Sequence, residues 1–93
     1  MKKITINEME YEILEDENKI VSIDEIESLM TDYFYPYDYI LGDYSYGKLR
    51  LKGFYDNNSK KANKVNKFSY LKSYIEEYCA YSCKYFVIKK IKN

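Results

Sequence analysis

Gly42, Gly47 and Lys48 stand at the G-x-x-x-x-G-K spacing of a phosphate-binding loop. That chemistry needs backbone N–H groups around the phosphates, a lysine on the outer ones and a Ser or Thr hydroxyl on magnesium. The hydroxyl position holds Leu49, and the four residues between the glycines include Tyr44 and Tyr46, too bulky for a cradle. The run after Gly47 alternates like a strand, whereas a phosphate loop opens a helix whose N-terminus meets the anion. Nucleoside triphosphate hydrolysis is excluded, and the glycines read as turn-formers.

The chain has no histidine. Ser-His-Asp and Cys-His nucleophilic catalysis and the usual zinc-hydrolase sites are therefore absent. Cys79 and Cys83, spaced C-x-x-x-C, are weak metal candidates, as half of a zinc site completed by a second chain, or a redox pair. The blander reading packs Cys79 into a helix stripe as a small hydrophobe and leaves Cys83 at the following turn. Two cysteines four apart on one helix are poorly oriented for a disulfide. Glu15, Asp16 and Glu17 lack the spacing of a calcium loop and read as a solvated turn. Asp38 and Asp43 have no nucleophile beside them. No catalytic constellation emerges, so the chain reads as a non-enzyme without a cofactor.

One pattern points to binding. Lys48, Arg50 and Lys52 alternate along a strand-like run, with Tyr39 and Phe54 expected on the same face. Cations for phosphates beside rings for base stacking are what single-stranded RNA-binding sheets use. Lys60, Lys61, Lys64 and Lys67 lie in a polar loop, read as a mobile basic arm extending the patch. The competing reading is an ordinary solvated strand face with lysines keeping the sheet soluble.

The elements that position these residues are set by periodicity. Ile4 and Ile6, then Met9, Tyr11 and Ile13, alternate with polar residues and predict two half-buried strands joined at Asn7–Glu8. Ser22 and Glu25 form a capping box, with Val21 and Ile26 as a hydrophobic staple. They open a helix whose stripe is Ile26, Leu29, Met30 and Tyr33, and Pro36 predicts its end near 32–34. Residues 37–43 and 47–55 predict a hairpin around Tyr44–Gly47. With Asp43 opposite Lys48, Ile40, Leu49 and Leu51 share one face. Lys48, Arg50, Lys52 and Phe54 share the other with Tyr39 and Leu41, and this parity survives small shifts of the turn. Phe68, Leu71, Ile75, Tyr78 and Cys79 recur at helical spacing, predicting a helix that ends near Ala80–Ser82. Residues 84–91 are apolar on both parities and predict a central strand.

The expected fold is α+β: one domain over residues 1–93, two layers, order ββαββαβ, with a mainly antiparallel five-stranded sheet and two helices on one face. The other face would then be open, carrying the Lys48/Arg50/Lys52 row. No apolar run has membrane-span length and no signal peptide is evident, so a reducing cytoplasm is expected. Hydrophobic residues make up 46%, enough for a core. Net charge is zero but divided. Residues 1–43 hold 3 Lys/Arg and 12 Asp/Glu, whereas residues 44–93 hold 12 and 3. Such asymmetry marks either an anionic partner or halves that neutralise each other in the fold.

The segments "YDYILGDYSYGKLRLKGFY" (37–55) and "YIEEYCAYSCKYFVIKKI" (74–91) resemble the two signature segments of the YutD-like family, small cytoplasmic proteins of Gram-positive bacteria and their wall-less relatives. The aromatic at 44, Gly47, "LRLKGF" at 49–54 and the cysteines at 79 and 83 all match that pattern, with Tyr44 where a tryptophan is expected. The resemblance implies an α+β fold and no established activity. Two functions stand as expectations. The first is RNA or ribonucleoprotein contact through Lys48, Arg50, Lys52, Tyr39, Phe54, Lys60, Lys61 and Lys64. The second is a protein-interaction adaptor using Tyr35, Tyr37, Tyr39, Tyr44 and Tyr46.

Overall fold

The structure is a computed structural model that describes residues 2–45, 47–78 and 83–91. Strands β1 (Lys2–Ile6) and β2 (Met9–Glu15) pair antiparallel, Ile6 opposite Met9. The turn has two residues, both left-handed: Asn7 at φ 48° and Glu8 at φ 69°. Positive φ at both positions matches the right-handed twist of a hairpin. Asn tolerates it, whereas Glu adopts it against the preference of its Cβ.

The acidic turn after β2 leaves Glu15 and Glu17 exposed, as expected of a solvated turn, and Asp16 anchors it. The Asp16 carboxylate accepts from the Ile20 and Val21 N–H groups at 2.8 and 3.3 Å. This leads the chain into helix α1 (Ile23–Leu29), where the Ser22 hydroxyl caps the Glu25 N–H at 3.5 Å. The Glu25 carboxylate does not close the box on Ser22. It accepts the Tyr44 hydroxyl at 2.7 Å and so ties α1 to the sheet. The staple forms, with Val21 packed against the cluster containing Ile26. The helix stops sooner than predicted, at an extended Met30. Successive turns then run through residues 31–37 toward Pro36. Consequently Ile26 and Met30 are buried, while Leu29 and Tyr33 stay exposed.

Strands β3 (Tyr39–Ser45) and β4 (Lys48–Phe54) form the predicted hairpin, pairing as far as Ser45 opposite Lys48. Gly47 supplies the left-handed residue at φ 76°. Asp43 therefore faces Arg50, not Lys48. The slip is even, so the face assignment holds. Gly42 is no turn-former: it lies mid-strand, where a Cβ would overlap the Phe86 ring. Strand β5 (Tyr85–Lys90) is central, between β2 and β3, as its two-sided apolar pattern requires. The sheet runs β1-β2-β5-β3-β4 and every strand pairing is antiparallel. The α+β class and the ββαββαβ order are as expected.

The two helices do not share a face. α1 packs on Ile4, Ile6, Tyr11, Ile40, Phe86 and Ile88. A short 3-10 turn (Phe68–Tyr70) leads into α2 (Leu71–Tyr78), which packs on Tyr39, Leu41, Phe54 and Val87. These residue sets have opposite parity in β3 and β5, so the helices sandwich the sheet. Leu41 and Val87 supplied the missed signal, since apolar residues on the second parity need a cover of their own.

Candidate functional site

The face bearing the basic row is thus the face α2 covers. Tyr39 is buried and stacks on Phe68 at 4.0 Å between ring centroids. Phe54 is fully buried with the Tyr74 ring edge-on at 5.8 Å. Neither ring is available to a nucleobase, which corrects the stacking role expected of them. Lys52 lies over the Phe54 and Tyr74 rings, its Nζ 5.6 and 5.3 Å from their centroids, a cation–π placement. Arg50 donates through both Nε and a terminal nitrogen to the buried Asp43 carboxylate, at 3.1 and 2.7 Å. A forked pair of this kind fixes the guanidinium and offsets its charge locally. Lys48 is exposed at the turn end of β4.

Lys60, Lys61 and Lys64 are exposed too, but past the opposite end of β4. Six residues of strand separate Lys48 from that end, about 20 Å at the usual rise. Their loop is not an unstructured arm. Ser59, Asn63 and Asn66 side chains accept from nearby N–H groups within it. The buried Asp38 carboxylate accepts the Asp56 N–H at 2.8 Å, and Asn57 accepts the Ser69 N–H at 2.8 Å. Asp38 and Asp43 thus each hold a structural partner, the Asp56 N–H and the Arg50 guanidinium.

Charge is interleaved in the same way. Acidic β2 lies beside basic β5, and Asp43 of β3 beside Arg50 of β4. Glu12 stands opposite Lys89. Lys90 donates its Nζ to the Tyr35 carbonyl at 2.7 Å. Cys83 lies beyond α2 rather than continuing it and is disulfide-bonded. The helical-orientation argument against a disulfide therefore does not apply to it. Cys79 lies outside the described residues, and so does the predicted helix end near Ala80–Ser82. Among the described residues no group of three or more Cys, Asp or Glu side chains could hold a metal ion.

What the structure brings together instead is tyrosine. Tyr33, Tyr37 and Tyr55 form a ladder, with centroids 5.5 and 4.6 Å apart, and Phe34 meets Tyr33 edge-on at 5.1 Å. Gly53 makes room for it, because a Cβ there would overlap the Tyr37 ring. The Tyr37 hydroxyl donates to the Tyr33 hydroxyl at 3.0 Å. That hydrogen bond, with burial second, pushes the Tyr37 pKa up to about 12. Tyr33 is 66% exposed. Of the tyrosines expected at an interface, Tyr35 and Tyr37 are half-buried and Tyr44 is held by Glu25. Tyr39 is core, and Tyr46 lies outside the described residues. Tyr33 and Tyr55 were missed. The signal was the i, i+4 spacing of Tyr33 and Tyr37, masked by assigning Tyr33 to a buried helix stripe.

Residues 5–89 match the family described as "Putative antitoxin YutD-like". The chain belongs to the YutD-like family. It is 40% identical over 90 residues to the "Putative antitoxin YutD" of Bacillus subtilis (strain 168), covering 97% of this chain and 99% of that relative. The solution NMR structure of protein yutD from B. subtilis shares the architecture, with a TM-score of 0.80 at 39% identity over 100% of this chain and 84% of that one. The signature segment 37–55 thus spans β3, β4 and two rungs of the tyrosine ladder. No helix of the described residues is long and apolar enough to cross a membrane.

Proposed function

We propose that this YutD-like chain is a non-enzymatic interaction module that binds a protein partner, with Tyr33, Tyr37 and Tyr55 at the centre of the contact. The ladder carries the reading: three rings held against one another, Tyr33 exposed and Tyr37 and Tyr55 half-buried. Fixed aromatic rings bury large area on binding at little entropic cost, which is why tyrosine is enriched among residues that dominate interfaces. The printed name of the B. subtilis relative agrees, since an antitoxin acts on a second molecule. A chain offering no catalytic constellation would do so by contact.

RNA contact is the second reading. It is favoured by the exposure of Lys48, Lys60, Lys61 and Lys64 and weakened by the burial of Tyr39 and Phe54. Co-purification from cells, with and without nuclease, separates the two. The protein reading expects a partner that survives nuclease and is lost with Tyr33→Ala/Tyr55→Ala. Retention that disappears with nuclease and ignores the tyrosine variant would replace it with the RNA reading.

A further inference from the structure

Among the described residues β4 is an edge strand, its one strand partner being β3. The direction of its outer backbone groups can be read from its end. The Tyr55 N–H donates to the Asn66 carbonyl at 2.7 Å and the Tyr55 carbonyl accepts the Phe68 N–H at 2.8 Å, both away from β3. The Phe54 carbonyl turns the other way and accepts the Asp38 N–H at 3.0 Å. Successive residues of a strand direct these groups to opposite sides. The N–H and C=O groups of Leu49, Leu51 and Gly53 therefore face outward. Among the described residues, no loop or side-chain hydrogen bond reaches those three. The chain already uses this edge for one rung, where Lys67 bridges Tyr55 in parallel.

The side chains along the edge define what can be added. On one face Leu49 and Leu51 are half-buried and run toward Tyr37 and Tyr55. On the other stand Lys48, Arg50 and Lys52, the last two fixed by Asp43 and by the Phe54 and Tyr74 rings. A second copy of β4 would bring Lys48 and Lys52 against the same basic face with no carboxylate of its own strand to meet them, which is unfavourable across strands. Strands bearing acids at alternate positions meet no such penalty.

We propose that β4 accepts an extended segment of a protein partner as an added strand. Carboxylates on one face of that segment would lie over Lys48 and Lys52, Arg50 being already paired with Asp43, and apolar side chains over Leu49 and Leu51. Backbone pairing would supply affinity and the alternating side chains selectivity. The inference rests on the reading that the partner is a protein, and it adds how that protein is gripped.

The test uses the full chain and synthetic heptapeptides, followed residue by residue by amide NMR and hydrogen exchange. Acetyl-EVEVEVE-amide is expected to shift the Leu49, Leu51 and Gly53 amides and slow their exchange. Acetyl-KVKVKVK-amide should do neither. N-methylating two edge-facing amides of the acidic peptide should weaken it about tenfold or more, since the backbone bonds are lost while charge is kept. This arm leaves the protein unaltered, so no variant need fold. Three unaffected amides at peptide concentrations up to about 1 mM, equal binding of the basic peptide, or an N-methylated peptide binding as well as its parent would each overturn strand addition. A nuclease-resistant partner still lost with Tyr33→Ala/Tyr55→Ala would then leave the protein-partner reading standing alone.

Discussion

Tyrosine hydroxyls and glycine α-carbons carry the least expected chemistry here. Folding favours the neutral phenol of Tyr37, whose pKa rises from about 10 to about 12. Its contribution is complete below pH 10 and is lost as pH climbs through 12. Tyr11, Tyr44, Tyr70, Tyr74 and Tyr85 are shifted in the same direction. Urea midpoints should therefore fall between pH 10 and 12. Tyr33→Phe, which removes the acceptor of the Tyr37 hydrogen bond, should make the decline shallower. An unchanged slope would show that this bond does not control the titration. Gly42→Ala should cost about 1–3 kcal/mol, because the fully buried Phe86 ring has nowhere to retreat. Gly53→Ala should cost less, since Tyr37 is only half-buried and can swing outward. Denaturant unfolding of both variants checks the order. Neither glycine was legible: composition offers a turn for every glycine, and a ring lying over a strand leaves no local mark.

Elements were the most readable scale. Period-two alternation places β1, β2 and β4, and the Ser22 cap places the start of α1. The parity of Leu49 and Leu51 against Lys48, Arg50 and Lys52 fixes the faces of β4. Turns are harder. Gly42 and Gly47 together suggest a broad reversal and a four-residue loop at Tyr44–Gly47, yet only Gly47 takes part in the tighter turn. At Asn7–Glu8 the missing glycine is a cost the chain bears. Glu8→Gly should stabilise the protein by about 1 kcal/mol, by relieving a left-handed glutamate in a tight hairpin. Thermal or urea unfolding would show it, and a loss of stability would mean that Glu8 makes a compensating contact.

For the whole molecule, the decisive arrangement is the sandwiching of the sheet by α1 and α2. It buries two rings of the expected basic–aromatic face and leaves the tyrosine ladder partly exposed, Tyr33 most of all. Sequence halves of opposite charge do not become molecular halves, because β5 of the second half is inserted between β2 and β3 of the first. Periodicity assigns each helix a greasy side but not the sheet face it meets, so this outcome lay beyond local pattern. What lies beside the open strand edge is an aromatic cluster, and the proposed protein contact is built on that pair of features. Hydrogen exchange across the chain, with and without the partner recovered after nuclease treatment, tests that claim most directly. Slowed exchange confined to residues 33–37 and 49–55 is the predicted result. Protection centred on 60–67 instead, with 33–37 and 49–55 unchanged, would contradict it.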